Sequence, residues 1–364
     1  MMNEIHSVTD KALYDALCQS RVTDNDMVDL FLSRGILVSK KTDRKKLAKN
    51  FSKLTHDYYL HQKIASIFGG FLRREKSTSL VVNNIIDKTL LVKAANELKD
   101  ILEDEDDLCF VISDKNVIRI SITYLSTNFG KSDFNQVEKK TALFDLEMLD
   151  EGFSIRRPDN EQSESYNTQL LEIIEALVEK DNKEKGITSD TSALDIERIH
   201  LSNIEDAEKR TNFFKRLIDG LNGYELDDVT DVFIYHPKPS VIEEEDGDSE
   251  TGIHISKASL KGEGVLKSEE LLSLYDRGFY IWKIRWRIKD KSKTPDLYDF
   301  EAQFGDPLEF KDFSYISRGV KKYKGDGKYN KNPTQLPDEL EYKFKRLIEK
   351  AARSIIIDIN KEYI

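Results

Sequence analysis

The sequence predicts an α+β protein: a helical amino-terminal domain, then two mixed α/β bodies with largely antiparallel sheets, closed by a long carboxy-terminal helix. Three observations carry this. Apolar residues recur at helical spacing through most of the first hundred positions. From about residue 108 onward, short stretches alternate apolar and polar residues between turn signals. Near the end, Leu340, Phe344, Leu347, Ala351 and Ile355 mark a single apolar stripe, with Pro337 at its start. The expected domains are 1–105, helical and basic; 107–180, a small α+β unit; and 193–364, an α+β unit.

Thr9 caps the first expected helix, over 10–20, with Leu13, Ala16 and Leu17 on one side. Thr23 with Asp26 forms a capping box ahead of Met27, Leu30 and Phe31. Gly35 stops that helix in a conformation open to positive φ, and residues 36–38 read as extended. Thr42 is expected to cap the next helix, whose stripe is Leu47, Phe51 and Leu54. A helix over 55–68 ends at Gly69-Gly70, and the stripe Ile85, Ile86, Leu90, Leu91, Ala94, Ala95 and Leu98 predicts helix over 78–103, broken at Asp87. Residues 1–100 therefore read as all-helical.

Strands are expected over 108–112, 117–124, 141–149 and 153–156, followed by a helix over 165–179. The polar, aperiodic segment 181–192 is the clearest domain boundary. Beyond it come a strand over 194–201, a helix over 205–221, strands over 229–235 and 253–260, and a helix capped by Ser268. The strongest strand is 280–288. There Tyr280, Trp282, Ile284, Trp286 and Ile288 alternate with Lys283, Arg285 and Arg287, and residues 297–304 return antiparallel to it.

At 364 residues, with 39% hydrophobic and 34% charged residues, the chain can bury a substantial core under a wet surface. A net charge of −11 argues against nucleic acid being coated along the whole length, but charge is segregated. Between Arg34 and Lys76 there are twelve Lys or Arg against three acids, whereas between Glu97 and Asp107 there are seven acids against one Lys. Residues 241–251 add six acids and no base, which reads as a solvated loop. Cys18 and Cys109 are the only cysteines, so neither a disulfide framework nor a thiolate metal cage is expected. No secretory signal and no membrane span are expected, which points to a cytoplasmic protein.

The functional signal lies in residues 27–54. Helix, short extended loop and helix carry Lys40, Lys41, Arg44, Lys45, Lys46 and Lys49 away from the apolar stripe. Backbone recognition of DNA needs cations held on a rigid edge beside helix amides, and residues 39–49 supply both. On Leu30, Arg34-Gly35, Ile36-Leu37, Ser39, Lys41 and Leu47, the segment resembles a SAP-type module, a small DNA-binding element that also has protein-binding relatives. The resemblance covers about thirty residues, and Lys40 stands where these modules usually carry Gly. It implies nucleic-acid contact, to DNA, through Ser39, Lys40, Lys41, Arg44, Lys45, Lys46 and Lys49.

Other constellations read as structural. The aromatics of 280–288 lie on the apolar face and are expected in the core, with Asp299 and Glu301 pairing the basic face across the hairpin. Asp299, Glu301 and Gln303 also resemble a metal-dependent nuclease pattern, with Gln where a Lys would stand. Asp145 with Glu147, and Asp195 with Glu197, share that spacing. His56 and His61, five apart, fall off a common helical face and are expected to be partly exposed; no histidine spacing suggests a metal. Phosphate-loop, dinucleotide and serine-elbow patterns are missing, so no cofactor is expected. The expected function is a DNA-binding accessory or scaffold subunit with protein partners or a homo-oligomeric state. Its overall make-up resembles subunits of bacterial phage-defence or mobile-element systems. The alternatives are a protein-interaction adaptor and a divergent nuclease.

Overall fold

The structure, a computed structural model, describes residues 8–69, 75–185, 193–237 and 256–362. The acidic stretch 241–251 and most of the 181–192 boundary lie outside them. Four short helices open the fold: α1 (Asp10–Leu17), α2 (Asp24–Leu32), α3 (Arg44–Phe51) and α4 (Tyr58–Gly69). They close on a cluster of Leu13, Leu17, Met27, Leu30, Phe51, Ile64 and Phe68.

The chain then turns to strand. β1 (Ser77–Val82) stands where the helical stripe predicted helix, because Ser-Thr-Ser-Leu-Val-Val is rich in β-branched residues and five of the six are buried. Asp87 then caps α5 (Lys88–Asp104). The antiparallel strands β2 (Leu108–Ser113), β3 (Val117–Thr127), β4 (Val137–Leu149) and β5 (Gly152–Pro158) lead into α6 (Glu161–Glu184). The remainder runs β6 (Ile196–Arg198), α7 (Ala207–Asp219), β7 (Tyr224–Tyr235), β8 (Lys257–Lys261), α8 (Glu269–Asp276), β9 (Tyr280–Asp290), β10 (Leu297–Asp306), β11 (Lys311–Lys321), the small hairpin β12 (Tyr323–Gly325) and β13 (Lys328–Tyr329), and α9 (Asp338–Lys361).

The class is α+β, and the two sheets expected from the sequence are joined as one. Its strand order is β2-β3-β4-β5-β1-β11-β10-β9-β7-β8, with β6 pairing β1 off this path. β1 is the seam: Ser77 pairs Tyr315 of β11, while Leu80 to Val82 pair β6 and the whole strand pairs β5. On either side of it a helix, a set of antiparallel strands and a second helix repeat: α5 to α6, then α7 to α9.

The helices cover opposite faces in the two halves. Leu80 and Val82 pack with α5 and α6. Ser77, three residues before Leu80 and so on the other face, pairs with Tyr315, which packs with α7 and α9. In the second half, Trp286, Phe300, Phe304 and Phe344 fill the core expected from the aromatic strand. A register shift between Phe233 and Ile234 changes the expected alternation: Ile281 is buried and Trp282 only half-buried. No helix among the described residues is long and apolar enough to cross a membrane.

Candidate nucleic-acid interface

The basic segment is built by local rules. Thr23 accepts from the Asp26 amide while the Asp26 carboxylate accepts from the Thr23 amide, closing the capping box of α2. Gly35 leaves the helix at φ +71°, a conformation that disfavours a side chain. Arg34 turns back to donate to the Thr55 carbonyl at 2.9 Å and the Asp57 carboxylate at 3.0 Å, tying the end of α2 to the start of α4. A tight turn comes next: the Thr42 amide donates to the Ser39 carbonyl, and the Lys41 amide to Ser39 Oγ. Phe31 and Phe51, edge to face at 5.0 Å, lock α2 on α3.

The cap of α3 is Asp43, not Thr42: Asp43 Oδ2 accepts from the Lys46 amide at 3.1 Å. Sequence spacing alone did not separate two adjacent capping residues. The consequence is chemical, because the chain's own carboxylate already takes one of the amides at the amino end of α3, that of Lys46, and sets a negative charge there. An anion at this end would meet that carboxylate, so the contact draws mainly on the lysine side chains.

Lys40, Lys41, Lys45, Lys46 and Lys49 are all exposed, and none forms an ion pair with a described residue. Ser39 is exposed too, with its hydroxyl committed to the turn. Arg44 differs: it is half-buried, 3.7 Å from Asp24 and donating to the Gln19 carbonyl at 3.3 Å. It anchors α3 to the α1–α2 connection. Sequence reasoning passed over Lys53, which is also exposed. At 100° per residue, Lys45, Lys46 and Lys49 project within an arc of about 100° on one side of α3, and Lys53 follows just past the end of that helix. Exposed Leu37 (87%) and Tyr59 (82%) belong to the same helical cluster.

This cluster grips the sheet through Phe134, in the loop between β3 and β4, which inserts among Phe68, His56 and His61. The two histidines, expected apart and partly exposed, meet at 5.7 Å, and His61 is buried, stacked on Phe134 at 4.7 Å. His56 lies before α4 begins, so helical spacing does not govern the pair. Burial lowers the His56 pKa; Asp57 opposes the shift and Arg34 adds to it.

The carboxylates of the nuclease-like pattern are engaged internally. Glu301 lies among four cations: Arg285 Nε at 2.6 Å, Lys283 at 2.8 Å, Arg318 at 2.9 Å and Lys76 at 3.5 Å. Burial alone would raise its pKa, but hydrogen bonds and charge from Lys283 and Arg285 outweigh it and hold the group at about 2. Asp299 pairs with Arg287 at 2.8 Å, so the expected cross-strand pairing of β9 and β10 is present. Asp145 accepts from Arg119, and Glu147 from Arg346 and Tyr342. Asp195 accepts from Asn83 and Glu197 from Arg353. A cleft of about 230 Å³ at the seam balances Arg157, Arg198 and Lys311 against Asp159, Glu164 and Asp312.

Comparison of the sequence with protein-family models and with curated proteins yields no match.

Proposed function

We propose that this chain is a DNA-binding accessory or scaffold subunit that meets the phosphate backbone through Lys40, Lys41, Lys45, Lys46 and Lys49, with exposed Lys53 just beyond the end of α3 adding to the local positive charge. The observation that carries the reading is that these lysines are exposed and leave their charge unpaired among the described residues, whereas the cations around Glu301 and Glu147 are taken up by those carboxylates. Contacts of this kind position a protein on a duplex without reading sequence. Ser39 shapes the loop and Arg44 braces the helix, so both support the contact rather than make it. The resemblance to SAP-type modules points the same way.

The test is fluorescence anisotropy with short duplexes of unrelated sequence. Lys45→Glu with Lys46→Glu weakens binding to every duplex alike and leaves the folding transition in place. Undiminished binding by that double variant overturns the assignment.

A further inference from the structure

We infer that the outer edge of β2, which pairs with no strand among the described residues, is a self-pairing surface that joins two copies of this chain into a two-fold dimer with a continuous sheet. β2 and β8 are the two ends of the strand order. They are built differently. β8 carries exposed Lys257 and Lys261, the charged side chains that ordinarily keep an edge from pairing. β2, Leu108-Cys109-Phe110-Val111-Ile112-Ser113, has no charge at all. Its Leu108, Phe110 and Ile112 are 52%, 62% and 64% exposed on one face of the sheet, and exposed Leu125 of β3 lies on the same face, two residues beyond Thr123, the partner of Leu108. Apolar side chains in a contiguous strip beside open backbone donors and acceptors mark an association site.

Two features select a second copy as the occupant. The first is register. Antiparallel pairing about a two-fold axis normal to the sheet preserves faces, so Phe110 must meet a residue on its own face. Setting Phe110 against Phe110 of the second copy brings each Leu108 opposite an Ile112, and the two stripes become one. The second is charge. The end of β2 at Leu108 comes after five consecutive acids, Glu103 to Asp107; Lys99 lies 3.7 Å from Glu103 and Tyr166 donates to Asp107, while Glu105 is exposed. The other end holds Lys88 and Lys115 against Asp114, with Lys88 Nζ donating to the Asp114 and Lys115 carbonyls. Antiparallel self-pairing lays the acidic end of each copy beside the basic end of the other, with exposed Glu105 level with exposed Lys115.

Sedimentation equilibrium on the full chain tests this. The wild type is dimeric. Phe110→Lys, at an exposed position, is monomeric while its thermal transition is retained. Glu105→Lys and Lys115→Glu each weaken dimerisation about three- to tenfold, since the axis repeats each exposed pair, and combining them restores it. A wild type that stays monomeric over the whole concentration range, with the edge left to some other extended segment, overturns the proposal. So does a dimer indifferent to Phe110→Lys, or a charge-swapped double variant no better than the single ones.

Discussion

Arg156 of β5 donates two parallel hydrogen bonds to the Glu349 carboxylate of α9, at 2.7 and 2.6 Å, and so ties the first half of the sheet to the last helix of the second. Tyr315 of β11 donates to the same carboxylate, and the Tyr342 ring lies 5.1 Å from the guanidinium carbon. Arg156 is 3% exposed and Glu349 7%. The pair sits where α9 leaves its own half and crosses onto the face that α5 and α6 leave open. Removing Glu349 takes away both short hydrogen bonds of the buried guanidinium and leaves it with Asp145 and Glu147, at 3.9 and 3.8 Å, as its remaining carboxylates. Glu349→Gln should therefore cost about 3–5 kcal/mol in denaturant unfolding, whereas replacing both residues with apolar ones of similar volume should cost much less. Equal losses in the single and double variants would contradict this account.

Glu301 sets the acid limit of the second half. Its carboxyl is held at about 2 against an ordinary 4.5, so the stabilisation is complete above pH 4.5 and disappears as pH falls toward 2. Glu301→Gln leaves Lys76, Lys283, Arg285 and Arg318 clustered around a neutral amide. The expected penalty is about 3–5 kcal/mol at neutral pH, narrowing as the buffer is acidified through that window. A pH-independent difference between the two proteins would remove the electrostatic explanation.

His56 works in a higher range. Its pKa is lowered mainly by burial, so the folded state stays neutral at a pH where the unfolded chain has taken up a proton. Stability contributed here is present above the ordinary imidazole value of about 6.5 and declines as pH falls below it. Titration of the His56 ring by NMR should give a midpoint below 6.5, and His56→Phe should flatten the difference in stability between pH 7 and pH 5.5. A midpoint at or above that of the unfolded chain would refute the assignment.

Local signals were legible in the sequence where the determinants are neighbours along the chain. Thr23 with Asp26, the stop at Gly35, Ser268 capping α8 and the pairing of Arg287 with Asp299 all arise from spacing. The long-range join was not legible. β1 was hidden because the apolar stripe from Ile85 onward reads as if it continued upstream. β11 was hidden because its ladder with β10 shifts register between Asp299 and Phe300, where Gly319 at φ +140° passes close to the Thr334 carbonyl and breaks the alternation. With both seam strands missing, one sheet read as two. Within the candidate interface, the lysines could be named from sequence. The inward turn of Arg44 to Asp24 and Gln19 could not, because it depends on where α1 packs.

The most direct test of the cationic stripe is the salt dependence of duplex binding. Engagement of five or six phosphates predicts a slope of log K against log salt of about −5, and Lys45→Glu with Lys46→Glu should make it shallower by about 2. An unchanged slope in that variant, or wild-type binding that ignores salt, would contradict the claim that these lysines meet a phosphate backbone.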